Sequence, residues 1–163
     1  MSNVKSSDDR TTAADPAEQN EFVSFTVGDQ LFGIPVLSVQ DVLQPQSITP
    51  VHRAPPEIAG SLNLRGRIVT AVDIRRRLGM APTNATKKTV SVVVEQNGDL
   101  YSLIVDAVGD VLSLSSSAFE ANPTTLDPQW REVSRGVFRL KERLLVILEI
   151  GHLLNFGRPA RAV

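Results

Sequence analysis

Apolar and polar residues alternate along most of this chain with the period of a strand. Val23, Phe25 and Val27 are separated by Ser24 and Thr26, the pattern of a half-buried strand. Gly28-Asp29 suits a two-residue hairpin with glycine at positive φ, and Leu31 to Ile34 form the return strand. Pro35 fits a helix first turn. Val36, Val39, Val42 and Leu43 then lie near helical spacing, in a run short enough to be a strand instead; both readings stay open. Pro45, Pro50, Pro55 and Pro56 preclude long regular structure after it.

The pattern resumes at Ile58. Gly60 leads into Asn63-Leu64-Arg65-Gly66, a turn that sets an arginine beside an obligate small residue. Arg67 to Val72 is a strand. Asp73 caps a short helix from Ile74 to Leu78, with Gly79 as its left-handed terminator. Arg75, Arg76 and Arg77 sit in its last turn, where the helix dipole favours cations, and are expected to be solvated. Thr89 to Glu95 is nearly all apolar, which predicts burial on both faces. Asn97-Gly98 is a strong hairpin signal. Leu100 to Asp106 and Val108 to Leu114 follow as strands, and Ser115 to Pro128 reads as a loop. Gly136 to Leu140 and Leu144 to Ile150 form a last hairpin, before a short helix over 151–156. About nine or ten short strands with little helix indicate a closed or sandwiched mainly β fold.

Composition narrows the functional classes. Hydrophobic residues make up 42% of the 163, enough for a real core in one domain or two small intertwined ones. The net charge of -1 gives no reason to expect nucleic acid. There is no cysteine, which excludes disulfides, thiol catalysis and cysteine metal sites. Residues 1–20 are polar and acidic, with Asp8, Asp9, Asp15 and Glu18 against Lys5 and Arg10. They hold too few large apolar side chains to offset the entropy of ordering and are expected to be a disordered tail. Residues 157–163 form a second tail, leaving 21–156 as the folded domain. No secretory signal pattern and no apolar run of roughly 18 residues is present, so a cytoplasmic protein without membrane insertion is expected.

Candidate chemistry is sparse. His52 and His152 lie far apart without clustered acids, so neither a metal site nor a catalytic dyad is expected. Ser115, Ser116 and Ser117 have no base near them, and a hydrolase fails for want of an assembled nucleophile. Arg65, Arg67, Arg75, Arg76 and Arg77 raise the alternative of a small-barrel nucleic-acid binder. Such a binder needs aromatics beside its basic groove, and only 5% of this chain is aromatic. Trp130 is either a buried anchor or the mark of an interface. No catalytic residue, cofactor or metal is assigned. The segment 60–80 is built to present a surface, which points to binding.

Four blocks, in order, resemble the chemotaxis coupling protein family, CheW. They are Glu21 to Val42; Ile58 to Leu78 with Asn63-Leu64-Arg65-Gly66 and Val72-Asp73; Leu103 to Asp106 running on through Val108 to Leu114; and Leu144 to Ile150 with Leu153-Leu154-Asn155. The resemblance implies two interleaved five-stranded SH3-like β-barrels with short helices. It implies no catalysis. It implies a scaffold, monomeric in isolation, that links chemoreceptor signalling tips to the regulatory domain of the CheA histidine kinase at membrane-associated receptor arrays. A chemotaxis-like pathway, in pili, biofilm or surface sensing, is the alternative setting.

Site residues follow from the same matches. Arg65 pairs with an acidic residue one strand away, here Asp41, at the receptor-binding position. Val39 lies on that patch, and its surroundings allow either a small exposed contact or ordinary core. Gly60 is needed for backbone conformation and, by the match, borders the receptor surface. Val108 and Val111 match positions associated with kinase binding or coupling, against a plain reading as core alternation.

Overall fold

The computed structural model describes residues 19–44, 46–82 and 88–155. The two expected tails lie outside these, except for Gln19 and Asn20, which open the first strand.

Local chemistry accounts for each element. Strands β1 (Gln19–Val27) and β2 (Gln30–Pro35) join through Gly28, at φ +63°. Pro35 then fixes a φ of -57° and starts a 3-10 turn over Val36–Ser38, after which the chain extends as β3 (Val39–Leu43). The open choice between helix and strand thus resolves as both in succession. Strands β4 (Ile58–Leu64) and β5 (Arg67–Asp73) form a hairpin, followed by helix α1 (Ile74–Arg77). The Asp73 carboxylate accepts from the Arg76 amide, and Gly79 leaves the helix at φ +70°. Asn97 and Gly98, at φ +54° and +86°, turn β6 (Val90–Gln96) into β7 (Asp99–Val105).

Strand β8 (Ala107–Ser115) leads through a 3-10 turn, Ser116–Ala118, to β9 (Phe119–Glu120). Helix α2 (Pro128–Arg131) precedes β10 (Ser134–Arg139), β11 (Leu144–Leu148) and helix α3 (Ile150–Leu153). The stretch expected to be a loop from Ser115 to Pro128 therefore holds a 3-10 turn and a strand, and ends where α2 begins. Asp127 caps that helix and Pro128 opens it. Trp130 is an anchor: its ring meets Phe32 edge-on at 5.4 Å, and Nε1 donates to the Leu78 carbonyl at 2.9 Å.

The strands form two sheets, ordered β8-β1-β2-β11-β10-β9 and β3-β6-β7-β5-β4. The halves of the chain interleave. The first half gives β1 and β2 to one sheet and β3 to β5 to the other; the second half gives β6 and β7 to the latter and the rest to the former. Each sheet curls into an SH3-like barrel, and the strand at one edge runs on to the opposite edge. Strand β8 continues into β9, which pairs with β10, and beyond β3 Thr49 bridges Ser61 on β4. This leaves little free edge for pairing with other chains.

Three apolar clusters form among the described residues. Phe22, Leu31, Phe138, Leu145 and Ile147 fill one barrel, and Leu62, Val69, Ala71, Val93 and Leu100 fill the other. The largest cluster lies between them and draws Phe25, Phe32 and Ile34 from one sheet and Val72, Val92, Val94 and Leu103 from the other. Val92, Val93 and Val94 are fully buried because β6 serves its own barrel on one face and this shared layer on the other.

Candidate partner-binding surface

The turn between β4 and β5 is exposed to solvent. Arg65 and Gly66 have φ of +50° and +86°, so both central residues are left-handed, as a two-residue hairpin with right-twisted strands requires. Asn63 Oδ1 accepts from the Gly66 amide at 2.9 Å and closes the turn. A side chain at Gly66 would meet nothing within 4 Å, so glycine is there for its φ alone. The turn holds Arg65 over the neighbouring edge strand, where Nη2 donates to Asp41 Oδ2 at 3.0 Å. Asp41 Oδ1 in turn accepts from the Val42 amide at 2.8 Å.

This pair joins the β4–β5 turn to β3, the strand at the opposite edge of the same sheet. The Arg65 side chain is 74% exposed and that of Asp41 29%. Chiefly the Arg65 hydrogen bond, and after it the Val42 amide, holds the Asp41 carboxyl below the usual carboxylate range. An ion pair this wet adds little to stability. What it does is order a guanidinium that would otherwise sample many rotamers, with its remaining donors facing solvent.

The structure divides the other expected residues by burial. Val39 is half-buried against the central cluster, while Val42 on the same strand is 43% exposed. Gly60 is buried at φ +152°, and a Cβ there would strike the Thr49 carbonyl and the Ile48 side chain. Its role in this fold is backbone geometry. Val108 is half-buried on the central cluster, but Val111 is 54% exposed, which removes plain core alternation as an account of it. Asp41 and Arg65 are in contact. Val108 and Val111 lie in the other sheet, on β8.

Sequence reasoning missed a short internal repeat. Val39-Gln40-Asp41-Val42-Leu43 and Val108-Gly109-Asp110-Val111-Leu112 share the pattern Val-x-Asp-Val-Leu. Each lies beside the first strand of a hairpin, β6 or β1, and each carries a bulge at the same place. The bulge shifts the alternation by one residue, so a single strand serves two cores. Val39 faces the central cluster and Leu43 its own barrel; Val108 faces the central cluster and Leu112 its own. The repeated pattern was the available signal.

The arginines of α1 depart from the expected solvated helix end. Arg75 forms a two-bond ion pair with Asp106, and Arg77 donates to the carbonyls of His152, Leu153 and Asn155 near the end of α3. Both tie one barrel to the other, so neither is free for an anionic partner. On the first barrel Phe22, Leu37, Phe119, Arg135 and Phe138 help to line a groove of about 700 Å³.

Among the described residues no group of three or more His, Asp or Glu side chains could hold a metal. None of the described helices is long and apolar enough to cross a membrane. The family model for the CheW-like domain matches residues 21–157. The chain belongs to the CheW-like domain family. A chemotaxis protein CheW of Rhizobium meliloti is 32% identical over 130 residues, covering 80% of this chain and 84% of that one. A probable chemotaxis protein CheW of Rhizobium etli is 28% identical over 135 residues, covering 83% and 87%. The crystal structure of a scaffolding CheW from Thermoanaerobacter tengcongensis superposes with a TM-score of 0.76 at 28% identity, covering 84% of this chain and 93% of that one. The expected family and the paired SH3-like barrels are thus borne out.

Proposed function

We propose that this CheW-like chain is a non-enzymatic scaffold of chemotaxis signalling. It links the cytoplasmic tips of chemoreceptors to the regulatory domain of a CheA-type histidine kinase. It works in the cytoplasm as a monomer that joins membrane-associated arrays through its partners, and residues 21–156 are its working unit. Arg65, Asp41 and Val39 belong to the receptor side, with Gly60 shaping the backbone beneath. Val108 and Val111 belong to the kinase side.

The observation that carries this reading is the ordered, solvent-facing Arg65 on Asp41 in a chain of this family. An arginine fixed by one carboxylate keeps donors for another, the bidentate recognition at which guanidinium excels. The exposed Val42 beside it supplies apolar contact. Weak individual contacts suffice, because an array multiplies them through effective concentration.

A second setting has one specific support. The protein FrzA of Myxococcus xanthus is 30% identical over 100 residues, covering 61% of this chain and 62% of that one. The same scaffold chemistry would serve a chemotaxis-like pathway, and neighbouring genes distinguish the two.

The test is a pull-down with the cognate kinase regulatory domain and, separately, a receptor signalling-tip peptide. Wild type is expected to bind both, and Arg65→Ala to lose the receptor selectively while remaining folded. Binding to neither by a folded wild type would refute the proposal.

A further inference from the structure

The two Val-x-Asp-Val-Leu segments differ in one respect. Asp41 has a cation in its own barrel; the matching Asp110 has none. Asp110 is exposed, its backbone carbonyl accepts from Ser24 Oγ at 2.7 Å, and no lysine or arginine pairs with its carboxylate among the described residues. The cause is turn length. In the second sheet Leu64 pairs with Arg67, so the turn has two residues and holds Arg65 over β3. In the first sheet the corresponding turn joins Arg139 to Leu144, so it has four residues and is closed by the Leu140 amide on the Arg143 carbonyl. Its arginine, Arg143, is turned to the Asp29 carbonyl at 3.3 Å.

We propose that the Asp110–Val111 edge of β8 docks a partner protein that brings an arginine or lysine beside an apolar side chain. The partner's cation fills in trans the place that Arg65 fills in cis on Asp41. The apolar side chain covers Val111, which is more exposed than its counterpart Val42. The two surfaces are thus one design used twice, once completed within the chain and once left open. Charge complementarity selects the occupant, since a carboxylate flanked by an exposed valine penalises an acidic or purely apolar surface. This inference rests on the scaffold reading above, which puts the kinase at β8, and so assigns that cation to the kinase regulatory domain.

The test compares wild type, Asp110→Asn and Asp110→Lys by titration calorimetry against the kinase regulatory domain and a receptor-tip peptide. Among the described residues the Asp110 side chain has no partner to lose, so both variants should match wild type in thermal midpoint. Asp110→Asn is expected to weaken kinase binding by about tenfold and Asp110→Lys by more, with receptor binding unchanged. The wild-type kinase affinity should fall with added salt more steeply than that of Asp110→Asn. Wild-type kinase affinity in Asp110→Lys overturns the inference and leaves the scaffold reading intact. Loss of receptor binding instead overturns the assignment of the partner. Binding of neither partner by wild type overturns both.

Discussion

Arg75 and Asp106 form a two-bond ion pair where the chain passes from one barrel to the other. Arg75 Nη2 and Nε lie 2.6 and 3.2 Å from the two Asp106 carboxylate oxygens, and the side chains are 14% and 7% exposed. Asp106 Oδ2 also accepts from the Gly28 amide at 2.8 Å, at the tip of the β1–β2 hairpin. One carboxylate thus fastens α1 of one barrel to a turn of the other. Removing one partner of such a pair leaves a buried charge uncompensated. Asp106→Ala or Arg75→Ala should each cost about 3–5 kcal/mol in urea unfolding. Replacing both with apolar residues of similar volume should cost less than either alone. A sum of the two single losses would show that the residues act independently.

Asp41 should report its ion pair through pH. Its carboxyl is held below the usual range in the folded state, chiefly by Arg65. Between the folded and unfolded pKa values the unfolded chain therefore binds more protons, and stability rises with pH across that window. The contribution is complete above the ordinary carboxylate range and is lost as pH falls through the lowered value. A carboxyl-carbon NMR titration should find Asp41 below an unperturbed aspartate, and Arg65→Ala should move it upward. An unmoved titration would mean that the pair does not persist in solution.

Glycine substitutions separate backbone from surface. Gly66→Ala meets open space and bears only the cost of its left-handed φ, about 1–2 kcal/mol. Gly60→Ala adds a collision with the Thr49 carbonyl and Ile48, which raises the expected loss to about 2–4 kcal/mol. Gly136, at φ +154° beneath Phe119 and the Glu120 carbonyl, should behave like Gly60. Urea midpoints order the three. If Gly60→Ala impairs receptor binding, instability should accompany it, whereas Arg65→Ala should act without instability.

What could be read in the chain depended on how local its cause was. The hairpins at Gly28, Arg65-Gly66 and Asn97-Gly98 were legible because a turn's φ demands are met by the residues in it. The cap at Asp73 and the doubly buried β6 were legible for the same reason. Helix α2 was missed although Asp127 and Pro128 carry its start signal, because one turn of helix leaves almost no periodicity. From the sequence Arg75 and Arg77 look solvated, because their partners, Asp106 and the carbonyls near the end of α3, lie far along the chain. Val111 alternates like a core residue, and its exposure follows from a bulge that no single strand announces. The interleaving of the halves came from family resemblance, since pairing across such separations leaves no local trace.

Two buried serines differ in how their hydroxyls are satisfied. Ser102 on β7 is fully buried, and its Oγ has no hydrogen-bond partner among the described residues. Ser134 on β10 is nearly as buried, but its Oγ lies 2.7 Å from Asn122 Oδ1 and accepts from the Gly136 amide at 3.1 Å. A buried hydroxyl without a partner costs its desolvation, about 1–3 kcal/mol, and returns nothing. Ser102→Ala removes that cost and should leave the protein within about 0.5 kcal/mol of wild type or more stable. Ser134→Ala removes one partner from a satisfied network beside the bulge at Gly136 and strands the other groups, so it should cost about 1–3 kcal/mol. Paired urea unfolding curves decide this. A marked loss in Ser102→Ala would mean that its hydroxyl finds a partner in solution, and the interior of that barrel would then hold water.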